Sequence, residues 1–356
     1  MNRYYLYLIL INMLINVIMF VPKILLEYRY NGAVMGVLIA IPIGFGLNIM
    51  FTKAITKFPE KGFPEIFAAA VGKRWLITLL FGIISLTTFS AGLISLLGFV
   101  DILRRFVNPE MPFLFIISIF LFGILLIIRF PTDRVMYLLE IVLFLNTPLI
   151  VFIIFKAFTS EYLVWDSILE VGTHLFAMPS LRSIAAAVYV FSGYTNLLIF
   201  NRIIKGKLKA WNFFVVIFMG LFNLFTTFFI PIGFHGADGA QEYLHPWIST
   251  ADSLRLVYSP IERVIFIFLI FYMGITLMSV SVYWHVAYEL LKGTYKKSIK
   301  KDWIMLSVFA CCAIAGAIFF NTLLLDRITN YWMIVRFSLE IIVVGGFFFW
   351  ARRKTG

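Results

Sequence analysis

The chain has 356 residues, of which 62% are hydrophobic and only 13% charged. So little polar surface cannot cover a soluble domain of this size, and the chain is read as a polytopic membrane protein. The formal net charge of +12 is spread over short segments between apolar runs, a topology signal and not a nucleic-acid-binding surface.

A membrane span needs about 20 apolar residues. The sequence supplies ten such runs, at residues 4–26, 32–56, 75–100, 112–129, 135–157, 181–203, 211–235, 261–291, 303–325 and 328–351. The first run continues to Val21 with no small-residue cleavage site after it, so it is read as a retained span. With the N-terminus inside, 20 of the 30 Lys and Arg residues fall in inner segments, among them Lys53, Lys57, Arg202, Lys292 and Arg352. Eight fall in outer segments, among them Arg29, Arg104, Arg105 and Arg263. That asymmetry predicts two cytoplasmic termini.

Ten spans with both ends inside permit two five-helix halves of opposite orientation in a single domain, residues 4–157 and 181–351. The first helix of each half, spans one and six, is then expected to be interrupted. Span six carries Ser192-Gly193-Tyr194-Thr195-Asn196 at mid-depth. Gly weakens helix continuity, and Ser, Thr and Asn offer the backbone competing hydrogen bonds. Loosened backbone persists in lipid only where protein or a polar cavity satisfies it. The patch therefore reads as a ligand site on a discontinuous helix, with a polar helix–helix contact as the alternative. Span one holds Asn12, Asn16 and the pair Pro22-Lys23. Proline predicts a bend near residues 20–21. The plainer reading is a proline kink with one Asn acting as interhelical glue.

The connecting segments say less. Residues 57–74, with two Phe-Pro turns, predict an interfacial helix. Residues 159–180 predict one or two short helices at the outer surface, and 236–260 is a turn-rich outer loop containing Leu244-His245-Pro246-Trp247. Residues 292–302 form a basic inner loop whose charges are topology signals able to touch anionic membrane lipid.

Ionisable residues inside spans are rare and usually face protein or water. Glu140 in span five is read as a proton- or ion-coupling carboxylate or, equally, as a helix-packing hydrogen bond. Glu289, near the inner end of span eight, is read as a solvated interface residue. Arg336 and Glu340 stand four apart in span ten and are read as a local structural pair. Thr88 in span three and Thr276 in span eight add mid-depth hydroxyls. The candidate ligand-binding residues are Asn16, Val17, Thr88, Phe191, Ser192, Gly193, Tyr194, Asn196 and Thr276. The four histidines lack metal-site spacing, and there is no phosphate loop or nucleophile elbow. No cofactor, metal or enzymatic activity is expected. Cys311 and Cys312, adjacent on one helix, do not have ordinary disulfide geometry and are read as packing residues.

Several short motifs recur in order along these spans. They are Phe20-Val21-Pro22, Phe58-Pro59 followed by Val71-Gly72-Lys73-Arg74-Trp75, Leu139-Glu140-Ile141 and Ser192-Gly193. They continue with His245-Pro246-Trp247, Ile261-Glu262-Arg263 and Phe337-Ser338-Leu339-Glu340. In these the chain resembles the B-subunit permeases of spore germinant receptors, a branch of the amino acid–polyamine–organocation transporter superfamily. The resemblance implies a LeuT-like five-plus-five inverted repeat with a pocket among spans one, three, six and eight. It implies a receptor assembled with A and C subunits in the spore inner membrane, which binds a small nutrient germinant such as an amino acid and responds by ion release. The alternative is a proton- or sodium-coupled amino-acid transporter of the cytoplasmic membrane. Two departures stand out. Span one has no glycine at its break, and Thr195 stands where some relatives carry an acidic residue.

Overall fold

The computed structural model describes residues 3–19, 21–68, 74–205, 208–255, 262–295 and 298–355. Of the motifs above, Phe20, Val71-Gly72-Lys73 and Ile261 lie outside the described residues. Among those described, regular structure is helical apart from one isolated bridge between Arg255 and Arg263.

The first run forms α1 (Arg3–Asn16) and α2 (Val21–Glu27), which meet at 52°. Then follow α3 (Ala33–Ile55), α4 (Phe63–Ala68), α5 (Arg74–Phe106), α6 (Phe113–Ile127), α7 (Thr132–Phe158) and α8 (Trp165–Gly172). The sixth run is α9 (Leu181–Tyr189), a 3-10 turn (Ser192–Asn196), α10 (Leu197–Phe200) and a second 3-10 turn (Asn201–Ile203), bent by 60° after α9. The chain closes with α11 (Ala210–His235), α12 (Pro246–Ser253), α13 (Val264–Lys292), α14 (Ile299–Phe319) and α15 (Thr322–Thr355). Seven of these helices are long and apolar enough to cross a membrane, or nine spans if each bent pair is one; α6 is apolar but only 15 residues long.

The layers follow from burial. Residues 185–200 are almost continuously buried, and α13 is the most enclosed long helix, with 61% of its apolar window inside the protein. Helices α1, α3, α5 and α15 pack around these two. Large apolar side chains on the periphery, such as Phe144, Phe122 and Leu86, stay exposed, as a lipid-facing surface requires.

Two expectations need correction. The boundary between the last two runs lies at residues 320–321 and not near 326. Asn321 Oδ1 accepts from the Leu324 N–H at 2.8 Å and starts α15 as a side-chain cap. Asp326, beyond that boundary, is paired with Lys23 at 2.8 Å inside α15. The helix in residues 57–74 is α4, and its apolar face packs on the bundle. Phe63 and Ile66 of α4 are buried, and the Phe63 and Phe67 rings pack against Phe347 and Trp350 of α15. Cys311 and Cys312, read as packing residues, are exposed on α14, whose inward face is occupied by Leu306, Phe309 and Ala313.

Candidate functional site

Helix α9 ends at Tyr189 because the next residues tighten into a 3-10 turn, which frees the carbonyls of the last α-turn. In an apolar interior these carbonyls need partners, and Asn12 of α1 supplies them. Its Nδ2 donates to Tyr189 O at 2.7 Å and to Val190 O at 3.2 Å. Its Oδ1 accepts from the Tyr283 hydroxyl of α13 at 2.6 Å. One amide thus ties the first, sixth and eighth runs together. Gly193 allows the approach, since a Cβ there would lie 2.6 Å from Ile9 Cα and Leu8 O.

On the other flank of the break, the carboxylate of Glu340 accepts from Tyr194 Oη at 2.6 Å, Ser192 Oγ at 3.0 Å and Arg336 Nη1 at 2.5 Å. Arg336 also donates to Ser192 Oγ at 2.8 Å and to Ala185 O at 3.4 Å, and its guanidinium lies 4.2 Å from the Tyr189 ring centroid. Both charged residues are 6% exposed. The pair is local in sequence, as expected, but it also fastens α15 to the interrupted helix.

Between these two tethers lies a cavity of about 80 Å³. Its polar lining includes Asn12, Thr88, Tyr189, Thr195, Tyr283, Arg336 and Glu340, and its apolar lining includes Phe51, Ile84, Ala91, Leu198 and Val344. Along the helices it falls between two ionic clusters. At one end Lys23 meets Asp326, and Arg105 meets Asp101 at 2.7 Å. His245, beside Asp101 at 3.8 Å, is pushed below the ordinary imidazole value by burial, against the opposing pull of that carboxylate. At the other end Arg202 bridges Glu289 at 2.6 Å and Glu65 at 2.7 Å, and Lys292 adds a contact to Glu289 at 3.1 Å. Glu289 is therefore a partly buried member of an ion cluster, not a solvated interface residue.

The residues singled out in the sequence divide among several environments. Ser192 and Tyr194 bind Glu340 beside the cavity, and Thr88 lines it with its hydroxyl turned back to Ile84 O and Ser85 O. Phe191 does not reach it. Its ring sits in a slot between α3 and α11, where a Cβ on Gly44 or Gly220 would strike it. Asn196 donates to Gly193 O at 3.1 Å and holds the turn from within. Asn16 donates to Asn12 O at 2.7 Å, and Thr276 is fully buried; neither lines the cavity. Val17 lines a different cavity, about 260 Å³ and mostly apolar, on the side of α1 facing α7 and α11. Glu140 pairs with Arg3 at 3.0 Å and lines neither space.

Asn12, Tyr189, Tyr283 and Trp332 are absent from the sequence-derived candidates yet line the cavity. Only Asn12 carried a signal, as a second Asn in an apolar span. Among the described residues no cluster of His, Cys, Asp or Glu could hold a metal ion.

No curated protein matches the chain. A family model described as spore germination protein matches residues 2–329. With the helical, span-rich architecture, this makes the protein an integral membrane permease in kind. The chain belongs to the spore germination protein family, as a germination permease.

Proposed function

We propose that the chain is the nutrient-sensing subunit of a spore germination receptor and that the cavity beside the interrupted helix is its germinant site. The observation that carries the reading is the juxtaposition, in a germination permease, of an unwound helix with a small, mostly apolar cavity that carries a few polar side chains and falls between two ionic clusters. A small nutrient such as an amino acid binds there, and the bound state triggers ion release and germination. Of the sequence-derived candidates, Thr88, Ser192, Gly193 and Tyr194 form or support this site. Asn16, Val17, Phe191, Asn196 and Thr276 hold the helices that frame it.

The rest of the reading is a ten-span single domain with α6 as its fourth span, two inverted halves and both termini in the cytoplasm. The two bent pairs, α1–α2 and α9–α10, stand at the starts of the proposed halves and support it. The basic residues around Arg202 and Lys292 support the orientation. The protein works in the spore inner membrane with A and C subunits.

The test is a germination screen of spores lacking the chain and spores with it restored, exposed to amino acids, sugars and nucleosides. One nutrient response that vanishes and returns with the chain supports the reading. Ala91→Leu, which fills the cavity, then abolishes that response at unchanged protein level; an unaltered response refutes the site. The ion-coupled transporter reading rests on Glu140, whose partner here is Arg3. Concentrative uptake of a labelled amino acid by the chain alone in vesicles would favour it.

A further inference from the structure

The tether between α15 and the interrupted helix leaves two donors unspent. Both Nη atoms of Arg336 are engaged, but its Nε–H is buried without a hydrogen-bond partner. One turn earlier on the same face, Trp332 Nε1 is buried and unpartnered too. Both side chains line the 80 Å³ cavity. Buried, unpartnered polar atoms occur at several described residues, and of these Trp332 and Arg336 are the two that line this cavity; because buried donors are nearly always paired in folded proteins, this is a place where a ligand can supply the acceptor.

We propose that Trp332 and Arg336 form the recognition point for the carboxylate of a small amino-acid zwitterion, with Glu340 facing its ammonium group. The inference rests on the reading of this cavity as the germinant site, and it assigns the ligand's charged ends. Two N–H donors, one of them on a guanidinium, match a carboxylate. A carboxylate alone would add a net negative charge to a neutral, buried Arg336–Glu340 pair, which is unfavourable in a low-dielectric interior. A zwitterion adds none. Glu340 accepts three hydrogen bonds from protein, and a carboxylate offers about four acceptor positions, so one remains for an ammonium donor. Size agrees. A cavity of 80 Å³, at about 10–15 Å³ per water, holds about five to eight water-sized positions. That suits an amino acid with a short side chain, and the walls left to that side chain, Ile84, Ala91 and Leu198, are apolar.

The side-chain amide that the first run brings to the cavity is not free for this task. The break of that run carries no glycine, and the Asn12 amide is committed to Tyr189, Val190 and Tyr283. The unpaired donors on this cavity are those of α15.

The experiment uses spores with the complete receptor, so that partner subunits are present. Germination dose–response is measured with L-alanine, L-valine and the other proteinogenic amino acids, and with the amino alcohols alaninol and valinol. The wild-type chain is expected to confer a response to at least one short amino acid and none to its amino alcohol. Trp332→Phe keeps the ring and removes the N–H. It is expected to raise the half-maximal concentration of that amino acid about tenfold or more, the worth of one hydrogen bond to a charged group, at normal protein level by immunoblot. An equal response to the amino alcohol, an unchanged half-maximal concentration in Trp332→Phe, or no chain-dependent amino-acid response overturns the inference. The amino alcohol comparison needs no mutant and so does not depend on folding. If Ala91→Leu abolishes the response while Trp332→Phe leaves it intact, the germinant site stands and only the carboxylate assignment falls; if neither variant changes it, both fall.

Discussion

The buried Arg336–Glu340 pair lends itself to a double-mutant cycle. Arg336→Met keeps most of the side-chain volume and removes the donors to Glu340, Ser192 and Ala185 O, together with the contact on the Tyr189 ring. It leaves the Glu340 carboxylate buried with only the Ser192 and Tyr194 hydroxyls, and losing one partner of a buried pair costs about 3–5 kcal/mol. Glu340→Leu strands the guanidinium and costs a similar amount. In the double variant both charges are gone. What remains is the Tyr194 hydroxyl without its acceptor, a loss of about 1–3 kcal/mol, while the Ser192 hydroxyl keeps Val188 O at 3.4 Å. The double variant is therefore expected to be more stable than either single one, with a coupling of about 3 kcal/mol or more. Unfolding of the full chain in detergent, followed by tryptophan fluorescence during an SDS titration, measures all four corners. Single variants that cost less than about 1 kcal/mol, or a double variant as unstable as the sum of the two, would refute the claim that the pair is a mutually compensating tether.

Asn12→Leu leaves the Tyr189 and Val190 carbonyls without partners and the Tyr283 hydroxyl with only the Tyr189 hydroxyl at 3.5 Å; the same titration should show a loss of about 2–4 kcal/mol from unsatisfied buried groups. Asn12→Asp should be no better than Asn12→Leu, because an ionised carboxylate accepts but cannot donate to two carbonyls. Gly193→Ala places a methyl 2.6 Å from the α1 backbone, so the helices must part, at about 1–3 kcal/mol; an unaffected Ala variant would mean that the close approach is dispensable. In the loop after α11, the hydrogen bond from the Arg29 guanidinium at 2.6 Å holds Asp238 below its ordinary carboxylate value. A depressed value means that the contribution is present above the unfolded value of about 4 and is lost as pH falls through the lower, folded value. Hydrogen exchange in Gly239–Gln241 should accelerate over that acidic range, and Asp238→Asn should remove the dependence.

Much of this architecture is legible in the sequence because lipid leaves the chain few options. Apolar runs of span length must be helical, and every expected run has a helix at its position. The break at Ser192–Asn196 follows from glycine beside three residues that compete for the backbone, and it is where the helix bends. Occupancy of the site was harder to foresee. Composition marks Phe191 as part of the patch, but its ring is drawn into a slot made by Gly44 and Gly220, residues 147 positions before and 29 after it. Asn16 looked nearer the proline bend than Asn12, yet helix rotation gives the capping role to Asn12 and turns Asn16 onto its own helix. The Arg336–Glu340 spacing identified a local pair and concealed a bridge, because an i,i+4 ion pair satisfies sequence reasoning without a third partner.

The same contacts explain how a broken span persists in a chain whose first run has no glycine. In a permease whose backbone unwinds to hold a ligand, the freed groups depend on that ligand or on water for satisfaction. Here Asn12 satisfies the carbonyls at the end of α9, and Glu340 accepts the hydroxyls of the 3-10 turn. The break is thus held by side chains from the first, eighth and tenth runs, independently of any bound molecule. A site held in this way is already shaped before binding, so a small ligand need not order backbone to gain affinity. The cost is that the ligand has only a few free groups to contact, and the unpaired ones, Trp332 Nε1 and Arg336 Nε, lie on α15. On the proposed reading, binding there would act on the helix that is already tied to the break through Glu340, and a ligand of very few atoms would gain a direct mechanical connection to the sixth run.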